Sequence, residues 1–229
     1  MFPIRDTQPS YSKPVVTVFL IVINVLVFLY EVSLDAYSRN DFINVYGLVP
    51  DQFHFQSMLT SMFLHGSWMH LIGNMWFLWL FGNNVEDSMG RLRFLGFYLL
   101  SGLAAAVGQI ITSPSSVLPM VGASGAISGV MGAYLVLYPR VRVYVLVPIF
   151  IFFTSIALPA WMMLGYWFLL QLVSGLLSSN DVGGVAVWAH VAGFVAGVLM
   201  VKIFVREEYV SAHRAHQWQP QRLTRGWGW

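Results

Sequence analysis

Between Val15 and Val205 the chain is built of long apolar runs separated by short polar connections, and no other feature limits its fold as severely. About 20 mostly apolar residues cross roughly 30 Å of hydrocarbon as a helix. Charged residues make up 10% of the 229 and hydrophobic ones 57%, where an ordinary soluble domain carries about 25% charged. So little charge does not cover a water-facing surface, and the sequence predicts an all-α polytopic membrane protein. A soluble enzyme, a disordered tail protein and a secreted disulfide scaffold are excluded. Cysteine is absent, which removes disulfides, zinc–thiolate sites and cysteine nucleophiles together. The net charge of +2 points to no nucleic-acid partner.

Spans are predicted from Pro14 to about Leu34, Trp68 to Gly82, Leu92 to Thr112, Ser124 to Tyr138 and Val185 to Val205. No small-residue cleavage site follows the first, so it does not read as a signal peptide. Residues 143–179 form another apolar stretch, interrupted by Pro148 and Pro159. It reads as two spans, or as one (about Ala157 to Leu177) in which the place of residues 143–156, loop or helix, stays open. Lys and Arg collect in cytoplasmic loops. Six spans with a cytoplasmic N-terminus put Arg5, Lys13, Arg91, Arg93, Arg140 and Arg142 inside, with Lys202 and the tail arginines. Of the 12 Lys and Arg, Arg39 alone then lies outside. Splitting residues 143–179 would export the five C-terminal cations, so six spans are expected. The organisation is a cytoplasmic segment 1–13, a membrane domain 14–205 and a cytoplasmic tail 206–229. The external segment Glu31–Ser67 is acidic yet carries Phe53, Phe55, Met58, Leu59, Met62 and Phe63. It should be partly helical, lying on the bilayer or packed on protein.

Strongly polar residues inside spans are costly and mark function by default. Here they are His65, His70, Asn74, Ser124 and His190, with Gln109, Gln171 and Asn24 read as interhelical hydrogen bonds and the tryptophans as belt and packing residues. Spans two, four and six all run from outside to inside, so His70, Asn74, Ser124 and His190 fall in one layer just below the outer surface. His70 and Asn74 share a helix face at i, i+4. Gly122 and Gly125 allow tight backbone around Ser124; Gly125, Gly129 and Gly132 on span four match Gly193 and Gly197 on span six, a small-residue seam. His190 shares the face of Gly193 and Gly197, which brings it within reach of Ser124.

A serine hydroxyl becomes a nucleophile when a neutral imidazole takes its proton. The resulting oxyanion needs donors, and the Asn74 amide, a His70 ring N–H and the Ser124 backbone N–H are candidates. No carboxylate orients His190, since Asp181 lies nine residues earlier in a loop. The expectation is a dyad with ring orientation left to packing.

Three segments resemble the signatures of the rhomboid intramembrane serine proteases. His65, His70 and Asn74 match HxxxxHxxxN, Gly122-Ala123-Ser124-Gly125 matches GxSG, and Ala189-His190 with Gly193 and Gly197 matches AHxxGxxxG. The resemblance covers residues 14–205 and implies a six-transmembrane-helix rhomboid-like bundle. It makes Ser124 the nucleophile, His190 the base, and Asn74 and His70 the oxyanion-side donors. His65 would brace the site through hydrogen bonds, with Gly122 and Gly125 in support, and Glu86 would fix the inner end of span two. It implies cleavage of membrane proteins with a transmembrane segment near the outer membrane face, at small residues in a locally unwound helix, with no cofactor and no metal. Two departures stand out. Ser128 replaces the aromatic residue that some members stack on the histidine, and the Trp-Arg pair of the first loop is missing, Phe53-His54-Phe55 lying in that region.

Rival readings are a zinc peptidase using His65, His70 and His190, a catalytically inactive rhomboid-like protein that binds and escorts membrane helices, and a transporter. The first lacks HExxH and a nearby acid. The second has no need of a nucleophile, and the third would show an inverted repeat and midplane charges. The N-terminus has no transit-like character, which favours a bacterial plasma membrane with both termini cytoplasmic.

Overall fold

A computed structural model describes residues 2–149, 152–177 and 186–215. The chain opens with strand β1 (Phe2–Asp6) and helix α1 (Val15–Ser33). The connection that follows holds α2 (Ala36–Tyr46), a 3-10 turn at Pro50–Gln52, the short α3 (Ser57–Thr60) and a second 3-10 turn at Ser61–Phe63. Then come α4 (Trp68–Met89), α5 (Arg91–Thr112) and α6 (Ser124–Leu137). Strands β2 (Arg142–Ile149) and β3 (Phe152–Pro159) precede α7 (Ala160–Leu177), α8 (Val187–Phe204) and α9 (Glu207–Ala215). The chain is thus mostly helical. By length and composition α1, α5, α7 and α8 can cross a membrane, and α6 is a shorter apolar helix. Large apolar side chains point outward from them, among them Leu26, Leu92, Ile111, Leu199 and Ile203. Lipid is the solvent that accepts such a surface: this is an integral membrane protein.

Local chemistry sets the helix ends. Asp35 caps α2 by accepting from the Tyr37 and Ser38 N–H groups, and Ser67 caps α4 by accepting from that of His70. Gly90, at φ 79°, turns the chain sharply between α4 and α5. The start of α1 is capped from another helix: Glu86 accepts from the Val16 and Thr17 N–H groups at 2.9 and 2.8 Å, and from the Thr17 hydroxyl. Asp87 does the same for Tyr11 and Ser12. With its polar groups satisfied by the N-terminal segment, α4 continues to Met89, past the predicted end at Gly82. Glu86 thus ties the start of α1 to the end of α4.

Helix α6 is buried along most of its length, from Gly125 to Tyr134, between α4, α5 and α8. It admits them through small residues. A Cβ built on Gly193 would collide with the Gly125 carbonyl oxygen, one on Gly197 with that of Gly129, and one on Gly132 with that of Phe194. These are backbone-to-backbone contacts, the geometry of small-residue helix seams in membranes.

The described residues of the 143–156 stretch are neither loop nor part of a span: 143–149 lie in β2 and 152–156 in β3. The two strands pair antiparallel from Arg142↔Pro159 to Ile149↔Phe152. Strand β1 adds to the other edge of β2, with Asp6 opposite Val143 and Phe2 opposite Leu146. Val143 and Val145 are buried two residues apart, the alternation of a strand, and the Arg5 guanidinium covers Tyr144 between them, 4.3 Å from its ring centroid. The all-α expectation is corrected by this one sheet of valine and aromatic residues, which favour a pleated backbone. It lies between α4 and α7. Trp76 of α4 donates its indole N–H to the Pro3 carbonyl at 2.6 Å, Phe2 packs on Trp76 and Phe77, and β2 and β3 contact α7.

Candidate active site

The segment leading to Ser124 is tied down by the connection after α1. Leu48 and Met120 exchange both backbone hydrogen bonds, and the Gly122 N–H donates to the Ser61 carbonyl at 2.9 Å. Gly122 has φ 125°, in the region that glycine alone adopts without strain. Space demands glycine there as well: a Cβ would sit 2.7 Å from Cε1 and Nε2 of His70 and 3.5 Å from Nδ2 of Asn74. This packs the Gly122 backbone directly beneath both α4 side chains. Ser124 follows as the first residue of α6, with no side chain capping that end of the helix. The Ser128 hydroxyl donates back to the Ser124 carbonyl at 2.7 Å, so this side chain is turned into its own helix.

The glycine seam carries α8 against α6 and sets His190 Nε2 2.7 Å from Ser124 Oγ. On the other side of the ring, Nδ1 lies 2.9 Å from Oε1 of Gln171 on α7. With its amide oxygen facing the ring, Gln171 can only accept a hydrogen bond there, so Nδ1 carries the hydrogen and Nε2 is left as the acceptor facing serine. Trp167, one helical turn before Gln171, packs beside the ring at 6.0 Å between centroids. Orientation of His190 by packing alone is therefore corrected: a neutral amide from α7 does it. Gln171 was legible as a polar residue in a span, the same signal that marks the histidines. Asp181 lies outside the described residues, as does the tail from residue 216.

Ser124, His190, His70 and Asn74 line one cavity of about 640 Å³, walled by α4 on one side and by Trp167 of α7 on the other. The Asn74 Nδ2 group has no hydrogen-bond partner among the described residues and is free to donate. His65 is fully buried beside this cavity, its ring 5.1 Å from that of His70. Neither of its ring nitrogens has a hydrogen-bond partner among the described residues. Its ring supports His70 by packing, and its hydrogen bonds run through the backbone instead. Gly125 abuts Ala105 of α5 and the Ala189 carbonyl. Among the described residues no three His, Asp or Glu gather into a metal-binding set.

The family description "Rhomboid domain" matches residues 52–207, a stretch that contains His65, His70, Asn74, Ser124, Gln171 and His190. The chain belongs to the rhomboid family. YdcA, a rhomboid protein of Bacillus subtilis (strain 168), is 34% identical over 125 residues, which cover 53% of this chain and 61% of YdcA. Rhomboid protease GluP of the same organism is 33% identical over 129 residues, 54% of this chain and 25% of GluP. The human presenilin-associated rhomboid-like protein, mitochondrial, is 34% identical over 108 residues, 45% of this chain and 28% of that protein. The chain matches less than two thirds of the length of each of these relatives. Within the rhomboid, the matched stretch leaves out β1 and α1, although both pack on the helix that bears His70 and Asn74.

Proposed function

We propose that this rhomboid is an intramembrane serine endopeptidase that cuts transmembrane segments of membrane proteins near the outer membrane face. The observation that carries the reading is the 2.7 Å contact between Ser124 Oγ and His190 Nε2, with Gln171 on the far ring nitrogen. Helices α1, α4, α5, α6, α7 and α8 are the six spans. Residues 14–205 are the membrane domain, and both flanking segments face the cytoplasm, where the charge count puts them. The ends of α4, α6 and α8 that bear the polar side chains then face outward.

The chemistry is acyl transfer. Ser124 Oγ attacks the substrate carbonyl carbon as its proton passes to His190 Nε2. Negative charge collects on the carbonyl oxygen, where the Ser124 backbone N–H at the head of α6, Asn74 Nδ2 and a His70 ring N–H are the donors. His190 returns the proton to the leaving nitrogen, the C–N bond breaks, and an ester to Ser124 remains. Water from the cavity then attacks that ester, giving its proton to His190, which passes it back to Oγ as the acid departs. Gln171 keeps the ring in the productive tautomer throughout. Being neutral, it lends the imidazolium less than a carboxylate would.

A fluorophosphonate tests the reading, because it phosphonylates only an activated serine. Mass-spectrometric mapping should find the label on Ser124. Both Ser124→Ala and His190→Ala should fold and leave a membrane-helix substrate uncut. A label on another residue, or turnover by either variant, would refute it.

A further inference from the structure

Glu31 is counted by sequence among the acids of the external segment, yet it sits in the last turn of α1 and is fully buried. A buried carboxylate in a membrane helix is costly without partners, and its partners here are specific. Oε1 accepts the backbone N–H of His65 at 3.1 Å. On the other flank of the same residue, the Arg39 guanidinium donates to the carbonyls of His65 and Gly66 at 3.4 and 3.2 Å. Arg39 is the one cation that the charge pattern leaves outside, and this contact gives it a reason to be there. One turn before Glu31, Phe28 sets its ring edge-on to Trp68 and to His65. Residues 65–68 are thereby gripped just where the Ser67 cap starts α4. Whatever fixes that start also fixes His70 and Asn74, one and two turns along the helix.

We propose that Glu31 and Arg39 are positioning residues for the reaction, bracketing His65 from its N–H and its carbonyl so that His70 and Asn74 face Ser124. This rests on the protease reading above. A merely structural pair would lower stability alike in every background. A positioning pair acts through the groups it positions, and its effect fades once they are gone.

The test is steady-state cleavage of a membrane-helix substrate, with fluorophosphonate labelling and melting temperature measured alongside. Glu31→Ala and Arg39→Ala should each lower kcat about tenfold with little change in KM. Glu31→Gln keeps the acceptor and should recover most of the rate. In an Asn74→Ala, His70→Ala background, Glu31→Ala should cost less than about twofold. An equal loss in both backgrounds, or no rescue by glutamine, would overturn the proposal. Should Glu31→Ala fail to fold, Glu31→Gln and Arg39→Ala decide it: wild-type kcat in Arg39→Ala refutes the bracket. An unlabelled wild type would instead refute the protease reading, whereas a labelled wild type with unaffected variants refutes only the bracket.

Discussion

Gln171 of α7 holds His190 of α8 at 2.9 Å through Nδ1, on the ring edge opposite Ser124. Three helices thus meet at one imidazole, α6 and α7 each reaching one of its ring nitrogens with a side chain. Replacing Gln171 by Ala removes one neutral hydrogen bond, worth about 1 kcal/mol, and releases the tautomer. The expected outcome is a kcat roughly tenfold lower with KM little changed. A kcat equal to wild type would show that the amide does not set the ring.

The seam between α6 and α8 makes a sharper forecast. A methyl on Gly197 has nowhere to go, because the opposing atom is a carbonyl oxygen of Gly129. Gly197→Ala should destabilise by about 1–3 kcal/mol or more, and should abolish fluorophosphonate labelling even where the protein stays folded. Gly165 on α7 has nothing within 4 Å of a built Cβ. Gly165→Ala should keep labelling and leave the melting temperature the same or higher, gaining up to about 1 kcal/mol from helix propensity.

Asp6 anchors β1 by accepting from the Tyr134 hydroxyl at 2.7 Å and the Asn84 amide at 2.9 Å. Burial pushes its carboxyl up from 3.8 to about 6, against the opposing pull of the hydrogen bonds from Tyr134, Gln8 and Asn84. A raised carboxyl favours the protonated folded form. Its contribution to stability is full below pH 3.8 and is lost as pH rises through about 6. Across that window wild type should lose at most about 3 kcal/mol through this group. Asp6→Asn should flatten that part of a melting-temperature series. Parallel curves for the two proteins would count against the assignment.

Glu86 satisfies the first turn of α1 from within α4. Glu86→Ala leaves two buried N–H groups and a hydroxyl without partners, at a cost of about 3 kcal/mol. A lower melting temperature is expected, with a smaller drop for Glu86→Gln. Unaltered melting of the alanine variant would mean that water replaces the carboxylate.

Much of the site was legible because its residues break a rule: Ser124, His190, His70 and Asn74 are polar where the chain should be apolar. The seam was legible too, since glycines every fourth residue describe a face. What stayed hidden depended on partners distant in sequence. The valine-rich run at 143–149 is a strand held by β3 on one edge and by β1, more than a hundred residues earlier, on the other, and an apolar run by itself has no period to separate strand from span. Gln171 reads as one more interhelical amide until the face of α7 that meets α8 is known. Glu31 reads as one more external acid until the backbone N–H of His65, more than thirty residues on, is seen to be its partner.

The contact of α6 with α8 has a consequence for how the rhomboid answers to its lipids. Acyl chains of different length impose hydrophobic mismatch, and helices absorb it chiefly by tilting. Where main chain rests on main chain there is no rotamer to yield, so these two helices lean as a single keel, and the spacing of Ser124 and His190 rides with it unaltered.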